Sequence, residues 1–360
     1  MDPYANRGRL AASAGPAEAR AMPDDAARAT AANLSWSFHC SACGKCCNSA
    51  PQMSLPELFY HQRRFVGCLA IQRVPRLRPG YRPGGASSVT PDETDCAAFS
   101  ELADAVLHRL PGGSDADYVL LATQGFSRSP SDPCPALGLD MLCTLHHDRK
   151  PATCSVVPLD ALVPDRMQQL VLAGRMKEAA YLGAECIALG SRTDFAPLTD
   201  GHAVVDRSAK EALARRRRDL ADDKRRWGDA VFGILGRDLF ADEAALSRVP
   251  VGGFLTIAIA PVLVVLAAVS PRSRRRCLEY LDAQIVLIEE TIRSAVARKG
   301  LADLAGLQQL RSFARTSLTL RAALRSAPVT GIPRSSEASD VETWMGLDQP
   351  YAERASTRPS

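Results

Sequence analysis

Neither of the glycine-rich phosphate cradles occurs in this chain. There is no GxGxxG and no GxxxxGK(S/T), so the sequence announces no dinucleotide or P-loop site. The CxxxCxxC spacing of radical clusters that work with S-adenosylmethionine is also missing, because Gly44 stands where its second cysteine would fall after Cys40. A charge imbalance is lacking too: 44 basic residues face 40 acidic ones, and a net charge of +4 over 360 residues argues against a nucleic-acid partner. Residues 1–32 contain no apolar core segment of the kind a secretory signal carries, and period-two alternation is nowhere long enough for a large sheet. The expectation is a mainly α protein of the reducing cytoplasm, with inner-membrane association as the alternative.

What the chain does have is cysteine, 11 in all, ten of them before Gly190. Four fall within eight residues at Cys40, Cys43, Cys46 and Cys47, and Cys134, Cys143 and Cys154 follow. An odd count, a long chain and the strained pairing of adjacent Cys46 and Cys47 argue against a disulfide scaffold. A CxxCxxCC turn points several sulfurs into one small volume, where neighbouring thiolates repel unless a cation or an iron–sulfur core lies between them. Thiolates select zinc, copper(I) or iron–sulfur centres. Cys40, Cys43 and Cys46 have the spacing of the first three ferredoxin cysteines, but Ala50 stands before Pro51 where the fourth would be, so Cys134 or Cys154 must complete such a site. Seven thiolates exceed what one tetrahedral zinc uses, which favours an iron–sulfur cluster with spare cysteines, or two metal centres, and leaves zinc as the alternative.

The ordered set Phe38-x-Cys40-x-x-Cys43-Gly44-x-Cys46-Cys47, Cys134-Pro135-x-Leu137, Cys143-x-Leu145, Pro151-x-x-Cys154 and Pro158 resembles the CxxCxxCC zinc- or iron-chelating (YkgJ-like) family, over roughly residues 36–190. Flagellin lysine N-methylase has been grouped with that family. The resemblance implies that Cys40, Cys43, Cys46, Cys47, Cys134, Cys143 and Cys154 are metal ligands and that Cys186 is an eighth. It implies a redox or protein-modifying role, with S-adenosylmethionine as a cofactor only if the chain is a methylase. The chain departs from the pattern at Lys150, where the family usually has arginine, and in a longer stretch between Cys47 and Cys134. His39, His146 and His147 are read as packing residues, Cys68 and Cys96 as outside the pattern, and Cys277 as a core residue. Glu57, Asp148 and Glu185 are the carboxylates nearest the motifs, and none forms a recognisable catalytic pair. A non-catalytic zinc module that presents a helical half to a protein partner is the competing reading.

Composition divides the chain into a disordered lead (1–33), a metal-binding half (34–190), a helical region (191–326) and a disordered tail (327–360). Ser54 and Glu57 have the capping-box form of a helix start running toward Phe65, and Pro164 opens a helix expected to reach Gly183. Leu278, Leu281, Ile285, Ile288, Ile292 and Val296 mark one helical face, and Leu304, Leu307, Leu310, Ala314 and Leu318 a second. Leu213, Leu220, Trp227 and Ile234 recur every seven residues beside Arg215–Arg218 and Lys224–Arg226, which reads as a solvated face with internal ion pairs. Val249–Pro271 is uncharged and long enough to span a bilayer. Its glycines and central Pro261, and the basic residues on both flanks, favour a buried, kinked helix over a membrane anchor.

Overall fold

In the computed structural model, residues 34–80, 91–112, 117–128, 133–177, 185–298, 304–326 and 336–348 are described. The expected disordered lead and the helix end at Gly183 lie outside them. In chain order the elements are β1 (Ser35–Phe38), a 3-10 turn (Lys45–Cys47), α1 (Leu55–Tyr60), β2 (Gly67–Val74), α2 (Glu93–Val106), β3 (His108–Arg109), β4 (Tyr118–Gly125), α3 (Ala152–Val156) and α4 (Gln168–Lys177). Then come β5 (Ile187–Leu189), β6 (Ala196–Asp200), β7 (Ala203–Val204), α5 (Arg207–Asp223), a π-helical turn (Lys224–Gly228) and α6 (Asp229–Leu239). The chain continues through α7 (Glu243–Leu246), β8 (Leu255–Ala258), α8 (Ala260–Ala267), α9 (Pro271–Arg298), α10 (Leu304–Ser326) and α11 (Ser336–Trp344).

The fold is mixed: helices surround two four-stranded sheets, ordered β5-β1-β6-β7 and β3-β4-β2-β8. This corrects the mainly α expectation, and the reason is burial on both faces. β2 and β4 pair antiparallel over eight residues each, from Gly67 opposite Gly125 to Val74 opposite Tyr118. Val119 and Leu121 of β4 enter one core with Leu69 and Ile71 of β2, while Tyr118, Leu120 and Ala122 enter another with Trp36, Phe99 and Ala103. A strand covered on both sides reads as a continuous apolar run and shows no alternation. β8 pairs with β2, and β6 pairs with β1, so strands from both sides of the expected boundary at residue 190 share sheets.

The long helices follow the expected faces with adjustments. On α9 the buried positions are Ser273, Cys277, Tyr280, Leu281, Gln284, Ile285, Ile288 and Ala295, while Leu278 and Ile292 are half-buried and Val296 is exposed. On α10 the buried face is Gly306, Leu307, Leu310, Phe313, Ser317 and Leu320, and Leu304 and Leu318 lie outside it. α9 docks on the start of β2, where Gln284 accepts the Gly67 N–H at 2.7 Å and donates to the carbonyls of Gln62 and Phe65. A side chain at residue 67 would overlap the Tyr280 hydroxyl, so only glycine allows this approach.

Three expectations are corrected along the helical region. The heptad stripe holds at Leu213, Leu220 and Trp227 but fails at Ile234, which is 52% exposed while Leu235 is 8% exposed. The π turn at Lys224–Gly228 absorbs one extra residue, so the buried face moves on by one position to Val231 and Leu235. The stretch 249–271 is not one kinked helix: Leu255–Ala258 is a strand, and Pro261 stands in the first turn of α8, where its missing N–H costs nothing. Among the described residues no helix is long and apolar enough to cross a membrane. Within the expected tail, α11 forms and its flank enters the core through Val341, Met345 and Leu347. Glu342 fastens it by accepting from the Ser270 hydroxyl and pairing with Arg272.

Candidate metal centre

The CxxCxxCC segment leaves β1 and turns sharply because Gly44 adopts a left-handed conformation (φ 71°). A Cβ there would overlap the Met141 methyl, so the glycine serves both the turn and the approach of the 134–143 loop. The Cys134 N–H donates to the Cys47 carbonyl at 2.8 Å, which ties the loop to the first motif, and the Leu137–Cys143 bridge closes the loop on itself. Cys154 arrives on α3.

The Glu57 carboxylate holds α3 in place. Buried on α1, it accepts the Ser54 N–H at 3.0 Å and the Ala152 N–H at 2.9 Å, and receives Arg215 at 3.0 Å. The expected capping function is present, but the same carboxylate also anchors the helix that bears Cys154. α1 is correspondingly short, ending at Tyr60 where the expectation ran to Phe65.

Cys43, Cys46 and Cys47 lie close together, and Cys134, Cys143 and Cys154 act electrostatically on this group. The Cys46 thiol hydrogen-bonds to Cys47, which with burial drives Cys46 well above the usual thiol range and draws Cys47 below it. Cys134, Cys154 and Cys143 oppose ionisation of Cys47 through their own charge. Burial, then the neighbouring Cys134, pushes Cys154 up to about 12, and burial likewise raises Cys134. Lys150 lowers Cys46 and Cys154, and Arg64 lowers Cys134. Metal-free, Cys47 is therefore the more acidic thiol beside Cys46, Cys134 and Cys154, whose ionisation is opposed. A bound cation would reverse that balance.

The remaining candidates are placed by other contacts. Cys40 is exposed just beyond β1. Cys186 is buried at the start of β5, its sulfur 3.0 Å from the Ser41 hydroxyl and its carbonyl accepting the His39 N–H. His39 packs against Phe195, and His146 and His147 are exposed and contact each other. Cys277 is in the core and so is Cys68. All eleven cysteines are free thiols. Among the described residues no three His, Cys, Asp or Glu side chains already form a coordination sphere, so the thiols are gathered as neighbours and not as a finished cage.

Behind Glu57 lies a buried ionic layer that the solvated-face reading of the arginine run missed. Arg216 is 2% exposed, donates to Gln52 at 3.1 Å, and has its basicity lowered by burial. Asp223 accepts from Trp227 Nε1 at 3.0 Å and the Leu55 N–H at 3.3 Å, and burial raises it to about 7. Asp219 is raised to about 6 by burial and then by Glu57. Arg217 binds the carbonyls of Ala161 and Val163 and pairs with Asp165 at 2.7 Å. The signal was in the sequence: Leu213, Arg216, Leu220, Asp223 and Trp227 are spaced by three and four residues, which puts the two charged groups on the buried face.

Compared with known proteins, the chain matches no family model, no curated protein and no solved structure.

Proposed function

We propose that the chain is a metal-binding cysteine-cluster protein that holds an iron–sulfur cluster and serves a redox or protein-modifying role. The observation that carries this reading is the approach of three separate stretches of chain, all bearing free thiols: Cys134 is tied to Cys47 by a backbone bond, and Cys46, Cys134, Cys143 and Cys154 all act on Cys47. The donor chemistry suits the group: soft sulfur ligands, more than one zinc requires, half-buried and within reach of the cations Lys150 and Arg64. When bound, a cluster of this kind supplies one-electron chemistry.

The protein's part is to hold and shield the thiols. The Cys134–Cys47 backbone bond and the Leu137–Cys143 bridge set one side, and the Glu57 carboxylate sets the other through Ala152. Cys43 belongs with Cys46 and Cys47, while Cys40 and Cys186 are the least supported of the eight candidates. The resemblance to the CxxCxxCC family points the same way, and lysine N-methylation with S-adenosylmethionine is the protein-modifying variant of this proposal.

Anaerobically purified protein should be brown, with a broad thiolate-to-iron absorption band and iron and acid-labile sulfide in matching amounts. Colourless protein from iron-supplemented cells that holds zinc and no iron would replace the cluster with a zinc site that staples these segments without catalysis.

A further inference from the structure

The turn between Leu137 and Cys143 closes on itself. The Gly138 N–H donates to the Leu142 carbonyl at 2.8 Å, the Met141 N–H to the Gly138 carbonyl at 3.0 Å, and the Leu142 N–H to Asp140 Oδ1 at 3.0 Å. With its backbone bonds satisfied internally, the turn keeps its shape without burying its side chains. Leu139 is fully exposed, and Met141 and Leu142 are exposed beside it. Leu139 and Leu142 thus project from one tip, with Met141 laid partly over Gly44 beside them, where isolated exposed residues would be unremarkable but a cluster implies a partner.

The surroundings of the tip are basic. Lys45 follows Gly44, which abuts Met141; Arg64 donates to the Thr144 hydroxyl at 3.0 Å; Arg63 is exposed next to it; and Arg149 lies over the Tyr60 ring. The two carboxylates nearby keep their charge, Asp140 as an acceptor within its own turn and Asp148 as acceptor of the Tyr60 hydroxyl at 2.9 Å, and the four cations outnumber them. We propose that this tip is a docking site for the surface of an anionic lipid bilayer, with Leu139, Met141 and Leu142 entering the headgroup boundary and the basic collar resting on the lipid charges. A projecting apolar tip needs no shaped pocket in a bilayer, and a collar of Lys and Arg supplies the charge complement that such a surface offers. The attachment requires no spanning helix, and it does not depend on the metal reading.

The test is co-sedimentation of the full chain with vesicles of phosphatidylcholine containing phosphatidylglycerol, against vesicles of phosphatidylcholine alone. Binding should require the anionic lipid and weaken as salt is raised. Replacing Leu139→Asp with Leu142→Asp, or Arg63→Glu with Arg149→Glu, should each reduce it by at least about tenfold, with circular dichroism and metal content unchanged. The arginine pair keeps the test decisive if the leucine pair does not fold. Absence of binding by the unmodified protein, equal binding to both vesicles, or full binding by a folded variant would overturn the proposal. So would light scattering that shows a dimer converted to a monomer by the leucine substitutions, which would assign the tip to a second copy of the chain.

Discussion

Removing the Glu57 carboxylate should loosen the Cys154 side of the site before it unfolds anything else. In Glu57→Ala the Ser54 and Ala152 amides, both buried, lose their acceptor, and the half-exposed Arg215 loses its partner. A buried donor left without an acceptor costs about 1–3 kcal/mol, and a half-exposed ion pair contributes at most about 1 kcal/mol, so the substitution should cost about 2–7 kcal/mol. Glu57→Gln keeps one carbonyl oxygen, which can serve one amide, and should cost roughly half as much. The loss falls on α3, so hydrogen exchange at Ala152–Val156 and alkylation of Cys154 should accelerate in the order wild type, Gln, Ala, with denaturant midpoints falling in the same order. Exchange along β2 and β4, which Glu57 does not touch, should change only through global stability. If Glu57→Ala unfolds at the wild-type midpoint and α3 exchanges at the wild-type rate, the carboxylate does not hold the thiol-bearing helix and the reasoning fails.

Cys46→Ser and Cys154→Ser should each lower metal content measured by elemental analysis, whereas Cys277→Ser, in the α9 core, should not. Burial holds His108 down to about 4 beside Asp229, so the native state binds fewer protons than the unfolded chain between pH 4 and 6.5. Acidification through that window should therefore cost up to about 3 kcal/mol, which His108→Phe should remove from the pH–stability curve. Asp223, raised to about 7, works in the opposite sense: its contribution is present at low pH and is lost as pH rises through 7, and Asp223→Asn should flatten that slope whatever it does to the absolute stability. Leu235→Ala should cost about 2–4 kcal/mol and Ile234→Ala under about 1 kcal/mol in denaturant titration, and the reverse order would show that the π turn does not shift the face. Leu263→Asp, at 0% exposure, should abolish folding while Val264→Asp, at 46%, should be tolerated; equal damage would mean that α8 is placed wrongly.

Helices were legible here where one face alone is buried, and illegible features share a physical cause. α9 and α10 announced themselves through spacings of three and four because water covers their other sides. β2 and β4 did not, since Gly67-Cys-Leu-Ala-Ile71 and Tyr118-Val-Leu-Leu-Ala122 have apolar neighbours above and below and no alternation to read. The candidate site divides in the same way. Its thiols were visible as residue types at suggestive spacings, but which of them meet depends on long-range backbone bonds, such as Cys134 to Cys47, that local sequence does not encode. Arg216 and Asp223 show a different limit. Their spacing put them on the buried face of α5, yet charge argued for solvent, and the conflict between the two signals marked the place where a buried ionic layer backs the thiol-bearing helix. A charged residue that falls in phase with a leucine stripe is thus better read as an internal partner seeking its counter-charge than as surface, and Asp223, seven residues on and in the same phase, supplies it.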